Sequence, residues 1–310
     1  MAHLSIVIPV YKAEHCLREL QHRLITAVEQ ITSDFECILV EDCGGDQCWK
    51  IICDMSQEDS RFKGIQFSRN FGQHYGITAG LDHCNGDWVV VMDCDLQDMP
   101  EEIPRLYAKA QEGFDVVLAQ RMNRKDKADK KISSLIFYSL FNYLTDMNYD
   151  PKVGNFRIMS AKVIENCRHI REGLRFLPGM IDWMGFPAAK IEVEHASRYA
   201  GSSTYTFRKL LRLGTDTIIA YSDKPLRMSI KLGFGISGLS FIVGLALLIY
   251  ALFYDIPIMG WSSLIISLYF LSGIIIANLG IIGIYLGKTF DETKKRPLYI
   301  INHTTFNAER

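Results

Sequence analysis

The chain has 310 residues, in which 34 lysines and arginines against 35 aspartates and glutamates give a formal net charge of −1. That length holds one large domain, or one domain with an accessory segment. A charge so close to neutral gives no global reason to expect nucleic acid as a partner.

Eight cysteines include no C-x-x-C pair. Cys43, Cys48 and Cys53 are evenly spaced, but no histidine follows at zinc-site spacing, so free thiols in a reducing compartment are the better reading.

In chain order, "LSIVIPV" at residues 4–10 lacks the basic region and cleavage site of a secretory signal. It reads as a first strand, and the domain it opens is expected to stay in the cytoplasm. A helical stretch over about 14–31, the strand "FECILVE" at 35–41, a helix over 46–56, a strand near 63–67 and a helix over 71–84 follow. "VVVM" at 89–92 is a short continuous apolar run, the pattern of a buried strand in a parallel sheet. Behind it come Asp93, Asp95, Asp98, Glu101 and Glu102. Pro100 marks a helix start, so the last three acids read as first-turn residues, and Asp46 likewise reads as a helix cap. Asp93 and Asp95 have no such explanation. Crowded carboxylates repel one another and resist desolvation, which makes sense around a cation.

A helix over about 101–113 and the strand "FDVVLAQ" at 114–120 complete a βαβα rhythm. It predicts an α/β domain with a mostly parallel sheet, whose ligands bind at the carboxyl ends of strands. Asp42, Asp93, Asp95 and Arg121 all fall at such ends. No G-x-G-x-x-G or Walker loop is present. His74, His83 and His195 share no paired spacing and read as structural or surface residues.

The basic loop "RMNRKDKADKK" (121–131) precedes "ISSLIFYSLFNYL", an aromatic helix too short to span a bilayer. "TFRKLLRLGTDTIIAYS" (206–222) is amphipathic. Both are expected to be interfacial helices on anionic lipid, with core packing or subunit contact as the alternative for the first. The stretches 232–254 and 256–287 carry no charge. Each can cross a core about 30 Å thick at about 1.5 Å per residue. Lys224, Arg227 and Lys231 before them and Lys288, Lys294, Lys295 and Arg296 after them put both flanks in the cytoplasm. The expected organisation is a cytoplasmic domain (1–222), two transmembrane helices within 223–288 (about 232–254 and 262–287) and a cytoplasmic tail (289–310).

"VIPVYKAE", "VEDCGGD", "FSRNFGQHYGITAGL", "DCDLQDMPEEI", "VLAQR", "GNFRIMS", "RYAGSSTY", "KPLR", the two spans and "KKRPLYII" together resemble the family 2 glycosyltransferases of GT-A fold. The resemblance is closest to their membrane-anchored polyprenyl-phosphate branch, related to dolichol-phosphate mannose synthase. It covers nearly the whole chain. It implies a Rossmann-like, mostly parallel GT-A domain on a two-helix anchor, a multi-pass protein of the inner (cytoplasmic) membrane. The implied activity is inverting transfer of a sugar from a nucleoside diphosphate, UDP by expectation, to a polyprenyl phosphate such as undecaprenyl phosphate. The product would supply lipid-linked sugar for cell-surface glycan, and a homo-oligomer is expected.

By the same resemblance, Asp93 contacts the donor's sugar or ribose, while Asp95 and Gln97 hold Mg²⁺ or Mn²⁺. Asp42 reads the base in a pocket lined by Pro9, Tyr11 and Glu14. Arg121, Lys130, Lys131, Ser134 and Arg198 face the acceptor phosphate. Relatives carry Ser-Lys-Tyr where this chain has Ser203-Thr204-Tyr205, which leaves phosphate binding near Arg198 open. Asp150, Glu172 and Asp182 are candidate bases with no assigned role. Two rivals remain at this stage. A processive polysaccharide synthase would carry a Q-x-x-R-W motif, absent here. A non-catalytic scaffold would have no need of Asp93, Asp95, Gln97 and Arg121.

Overall fold

A computed structural model describes residues 4–121, 138–145, 150, 152–194, 214–220, 222–253 and 260–307. The elements are β1 (Leu4–Val10), α1 (Leu17–Val28), β2 (Phe35–Glu41), α2 (Cys48–Glu58), β3 (Phe62–Phe67), α3 (Gln73–His83) and β4 (Trp88–Val91), then a 3₁₀ turn (Pro100–Glu102) leading into α4 (Ile103–Ala110) and β5 (Val116–Arg121). After helix α5 (138–145) come β6 (Val153–Ser160), α6 (Ala161–His169), α7 (Leu177–Met184) and β7 (Ala188–Val193). Helix α8 (214–220), α9 (Lys224–Phe253), α10 (Trp261–Thr293) and β8 (Ile301–Thr304) complete the chain. The predicted alternation is present. The main boundary difference is after Pro100, where one long helix was expected and a 3₁₀ turn hands over to an eight-residue α4.

One sheet runs β7-β5-β6-β4-β1-β2-β3-β8. β4, β1, β2 and β3 are mutually parallel, β7 is parallel to β5, and β6 lies antiparallel to both β4 and β5. β1 and β2 are buried along their whole lengths because helices cover both faces. Leu4, Ile6 and Ile8 face Leu17, Leu20 and Leu24 of α1, while Val7, Ile38 and Val40 pack with Ile77, Met159 and Val163 on the other side. α3 lies against β1 so closely that a Cβ at Gly80 would come 2.2 Å from Val7 Cγ1. Only glycine permits that approach.

The chain divides into two compact units, residues 1–142, 147–209 and 296–310, and residues 143–146 and 210–295. The carboxy-terminal segment expected as a tail therefore includes an element of the first unit. β8 pairs antiparallel with β3, Thr304 opposite Ile65 and His303 opposite Gln66. Tyr299 stacks on Phe67 at 5.3 Å and donates its hydroxyl to Asp82 Oδ2 at 2.7 Å.

In the second unit, α9 and α10 have 30 and 33 residues. Their most apolar windows have mean hydropathy of 1.6 and 2.0 and are 0% buried. Helices apolar on every side and this long can cross a membrane. Both extend past the uncharged stretches, so Lys224, Arg227 and Lys231 share α9 with the apolar segment. Tyr285 of α10 donates to the Ser222 carbonyl at 2.7 Å, and Lys288 lies 3.6 Å from Asp216 of α8.

Candidate active site

The carboxyl ends of β1, β2 and β4 carry three of the four non-glycine residues with positive φ among those described: Lys12 (52°), Cys43 (52°) and Leu96 (60°). Such conformations are costly and persist where the surroundings hold them, so their grouping singles out this end of the sheet as the candidate site. Leu96 shows how it is held. Its side chain is buried in the core, and the reversal it makes leaves Asp93, Asp95 and Gln97 half-buried around it.

Asp93 Oδ1 accepts two amide hydrogen bonds, from Gln73 Nε2 at 2.6 Å and Asn155 Nδ2 at 3.2 Å. Arg121 Nη2 lies 3.4 Å from Oδ1 of buried Asp98. Burial, then the charges of Asp98 and Asp95, push the Asp93 carboxyl up to about 7, against the opposing pull of Asn155 and Arg121. Asp95 is shaped locally: its Oδ1 accepts the Gln97 backbone N–H at 3.2 Å.

At the end of β2, Asp42 is buried, and its two oxygens accept the backbone N–H groups of Phe71 (2.6 Å) and Gly72 (2.8 Å). Burial raises its pKa, while those two hydrogen bonds oppose the rise. The contact the structure gives Asp42 is thus with the loop that leads into α3. Tyr11 is exposed beside Lys12, and Glu14 Oε2 accepts the Gln47 N–H at 3.0 Å. Pro9, expected to line the pocket, is buried within β1 on the side of Gly76 in α3. Asp46, expected as a helix cap, stands one residue before the N-cap Gln47, and its Oδ1 accepts the N–H of Cys48, the first residue of α2, at 3.3 Å. Asp150, a candidate base, accepts from Gln120 (2.9 Å) and Lys190 (3.1 Å), which is a structural setting. His74 is half-buried, edge-on to Phe176, and desolvation pushes its imidazole down to about 4, which favours the neutral form.

The structure therefore brings Asp93, Asp95, Gln97, Asp98 and Arg121 together, with Asp42, Tyr11 and Glu14 at the ends of the neighbouring strands. Lys130, Lys131, Ser134 and Arg198 lie outside the described residues. Gln73 and Asn155 escaped sequence reasoning, although both lie in segments that carry the family resemblance. Among the described residues no group of three or more His, Cys, Asp or Glu could hold a metal. A carboxylate at Asp95 and an amide oxygen at Gln97 fit instead a hard cation that takes its remaining ligands from water and a diphosphate, as Mg²⁺ and Mn²⁺ do.

The profile of the family described as glycosyl transferase family 2 matches residues 5–167. An uncharacterized glycosyltransferase of Bacillus subtilis (strain 168) is 39% identical over 298 residues, 96% of this chain and 92% of its own. The bactoprenol glucosyl transferase of Shigella phage SfV is 34% identical, covering 97% of this chain and 98% of its own. Glucosyl-3-phosphoglycerate synthase of Mycobacterium tuberculosis, solved with Mn²⁺, UDP and glucosyl-3-phosphoglycerate, superposes over 71% of this chain and 78% of its own with a TM-score of 0.50 at 13% identity, a likeness of fold.

Proposed function

The chain belongs to glycosyl transferase family 2, and from that premise we propose that it moves a sugar from UDP to a polyprenyl phosphate at the cytoplasmic face of the inner membrane. The observation that carries this reading is the acidic cradle of Asp93, Asp95 and Gln97 at the strand ends, in a chain that also bears two apolar helices of 30 and 33 residues. A water-soluble donor and a membrane-bound acceptor call for both. Relatives named bactoprenol glucosyl transferases, similar along 96–97% of the chain, support the acceptor class. A fold neighbour solved with UDP and Mn²⁺ supports the donor and the ion. The pairing of β8 with β3 supports the topology, since a chain that leaves through α9 and comes back to the same sheet crosses an even number of times.

A phosphate monoester, with a second pKa of about 6, is already an oxyanion near neutral pH and needs no general base. One phosphate oxygen forms a bond to the anomeric carbon as the bond to the UDP oxygen breaks. The leaving group departs as UDP, no proton is transferred, and configuration inverts. A cation on Asp95 and Gln97 would supply Lewis-acid stabilisation of the leaving diphosphate. Asp93 presents a carboxylate to the donor's sugar side, and Arg121, with Arg198, Lys130, Lys131 and Ser134, would counter the acceptor's charge.

Purified protein in lipid nanodiscs, incubated with a panel of nucleotide sugars, polyprenyl phosphate and Mn²⁺ or Mg²⁺, tests the reading. A UDP-sugar should be consumed with formation of a polyprenyl-phosphate sugar, and chelation or Asp95→Ala should stop it. Chelator-resistant transfer by the Asp95→Ala protein would refute the metal assignment. A long polysaccharide product would identify a processive synthase, and no turnover of any donor would favour a scaffold.

A further inference from the structure

Strand β6 runs against β4 and β5, so its first residues lie at their carboxyl ends, where the acids gather. Across the ladder Arg157 stands opposite Val91 of β4 and Leu118 of β5. Two residues nearer the start of β6, Asn155 reaches the Asp93 carboxylate.

We propose that Asn155 and Gln73 are positioning residues that fix the Asp93 carboxylate by one oxygen, and that Gly154 and Arg157 hold the strand from which Asn155 acts. Both amides donate to the same atom, Oδ1, one from the start of β6 and the other from the first residue of α3. Two donors on one oxygen set the plane of the carboxylate and leave Oδ2 as its second acceptor for a ligand hydroxyl.

Arg157 is 1% exposed, an unusual place for a guanidinium. It donates Nη2 to the Gly154 carbonyl at 2.6 Å and Nε to the Asn155 carbonyl at 3.0 Å. It thus braces the backbone on which Asn155 stands. Gly154 serves the cation of the site. A Cβ there would lie 2.8 Å from Arg121 Nη2 and 3.2 Å from its Cζ, so a larger residue would make that guanidinium shift from the position in which it approaches Asp98. Residues 154–157 thereby set the acid and the arginine relative to each other. An error of about 1 Å in such a constellation can cost about a hundredfold in rate.

The inference rests on the reading that Asp93 faces the donor. Its test is the steady-state kinetics of the full chain in nanodiscs, with UDP-sugar and polyprenyl phosphate. The variants are Gln73→Ala, Asn155→Ala, their double, Gly154→Ala and, as reference, Asp93→Ala. Each single amide variant should lose roughly tenfold in kcat, the cost of one hydrogen bond to a charged group, with donor KM and thermal midpoint little changed. The double should lose more than the product of the two, because either amide alone still restrains Oδ1. Gly154→Ala should lower kcat through Arg121 and leave UDP affinity, read by calorimetry, intact. If Asp93→Ala is inactive while the amide variants keep wild-type kcat, the positioning role is overturned and the reading of Asp93 stands. If Asp93→Ala is itself fully active, the reading of Asp93 falls and this inference with it. Should Asn155→Ala fail to fold, half-buried Gln73 decides the matter by its own kcat.

Discussion

Carboxylates stand at both ends of the central sheet, and they are treated in opposite ways. At the amino ends, Glu36 of β2 is buried and fully enclosed by donors. Its Oε1 accepts the Ser5 hydroxyl and the Asn85 N–H, both at 2.6 Å, and its Oε2 accepts Lys63 Nζ at 2.6 Å. At the carboxyl ends, Asp93 has two neutral amides on one oxygen and shares its surroundings with Asp95 and Asp98, while Arg121 approaches Asp98 at 3.4 Å. The first arrangement closes on itself and stabilises the fold. The second keeps like charges together at a cost in stability, which makes sense if a cationic or hydroxyl-bearing ligand completes it.

The largest expected effect breaks the second arrangement. Asp93→Asn keeps the shape of the side chain and removes its charge, and transferase kcat should fall by about 10²–10³, the range for loss of one charge-stabilising group. Stability should move the other way. The folded-state pKa of Asp93, pushed up to about 7, lies above the unfolded value of about 3.9. Between those values the folded protein retains a proton that the unfolded chain releases, so wild-type stability from this group declines as pH rises through the window. The metal-free Asp93→Asn protein escapes that decline. Its advantage over wild type, read by urea denaturation, should grow from about pH 4 to about pH 8. An advantage that stays flat, or shrinks with pH, would place Asp93 in the class of Glu36.

Glu36→Ala probes the other end. It strands a hydroxyl, a backbone N–H and an ammonium that faced a buried carboxylate. Removing one partner of a fully buried pair costs about 3–5 kcal/mol. The Lys63 side chain is 30% exposed and can turn to water, so about 2–3 kcal/mol in the denaturation free energy is expected. Activity per folded molecule should be unchanged. A stable but inactive Glu36→Ala protein would remove the distinction between the two ends.

The two ends also differ in how far the sequence disclosed them. Asp93 and Asp95 were legible because they interrupt an apolar run where a parallel sheet presents ligands, and the βα alternation made that sheet predictable. Glu36 sits inside "FECILVE" with nothing local to mark it, since its partners come from three separate segments. Gln73 and Asn155 were hidden for a related reason. Their role exists only once β6 returns antiparallel beside β4, which strand propensity does not specify. β8 was missed because "INHT" has no continuous apolar run, and its partner β3 lies more than two hundred residues earlier. Long-range pairing of this kind is set by packing rather than by local preference.

β8 supplies the smallest effect and the sharpest control. Asp82 of α3 resembles Glu36: its Oδ2 accepts the Tyr299 hydroxyl at 2.7 Å and Arg171 Nη1 at 2.8 Å. Tyr299→Phe removes one of those donors, keeps the ring on Phe67 and leaves Arg171 in place. The expected loss is about 1 kcal/mol, the net value of one hydrogen bond. Opening of the β3–β8 edge should carry it, seen as faster amide exchange at Ser68 and Thr305, which bond to Ile300 and Gly64 across that edge. Activity should stay at the wild-type level if paired acids serve only the fold. There is, however, a physical route by which it could fall. Ser68 donates to the Ile300 carbonyl at 3.0 Å, and the loop that Ser68 begins ends at Phe71 and Gly72, whose N–H groups hold Asp42. If Tyr299→Phe raises the donor KM several-fold while kcat is unchanged, the edge strand sets the Asp42 loop. The division between structural and functional carboxylates would then have to include the strand that follows the two apolar helices.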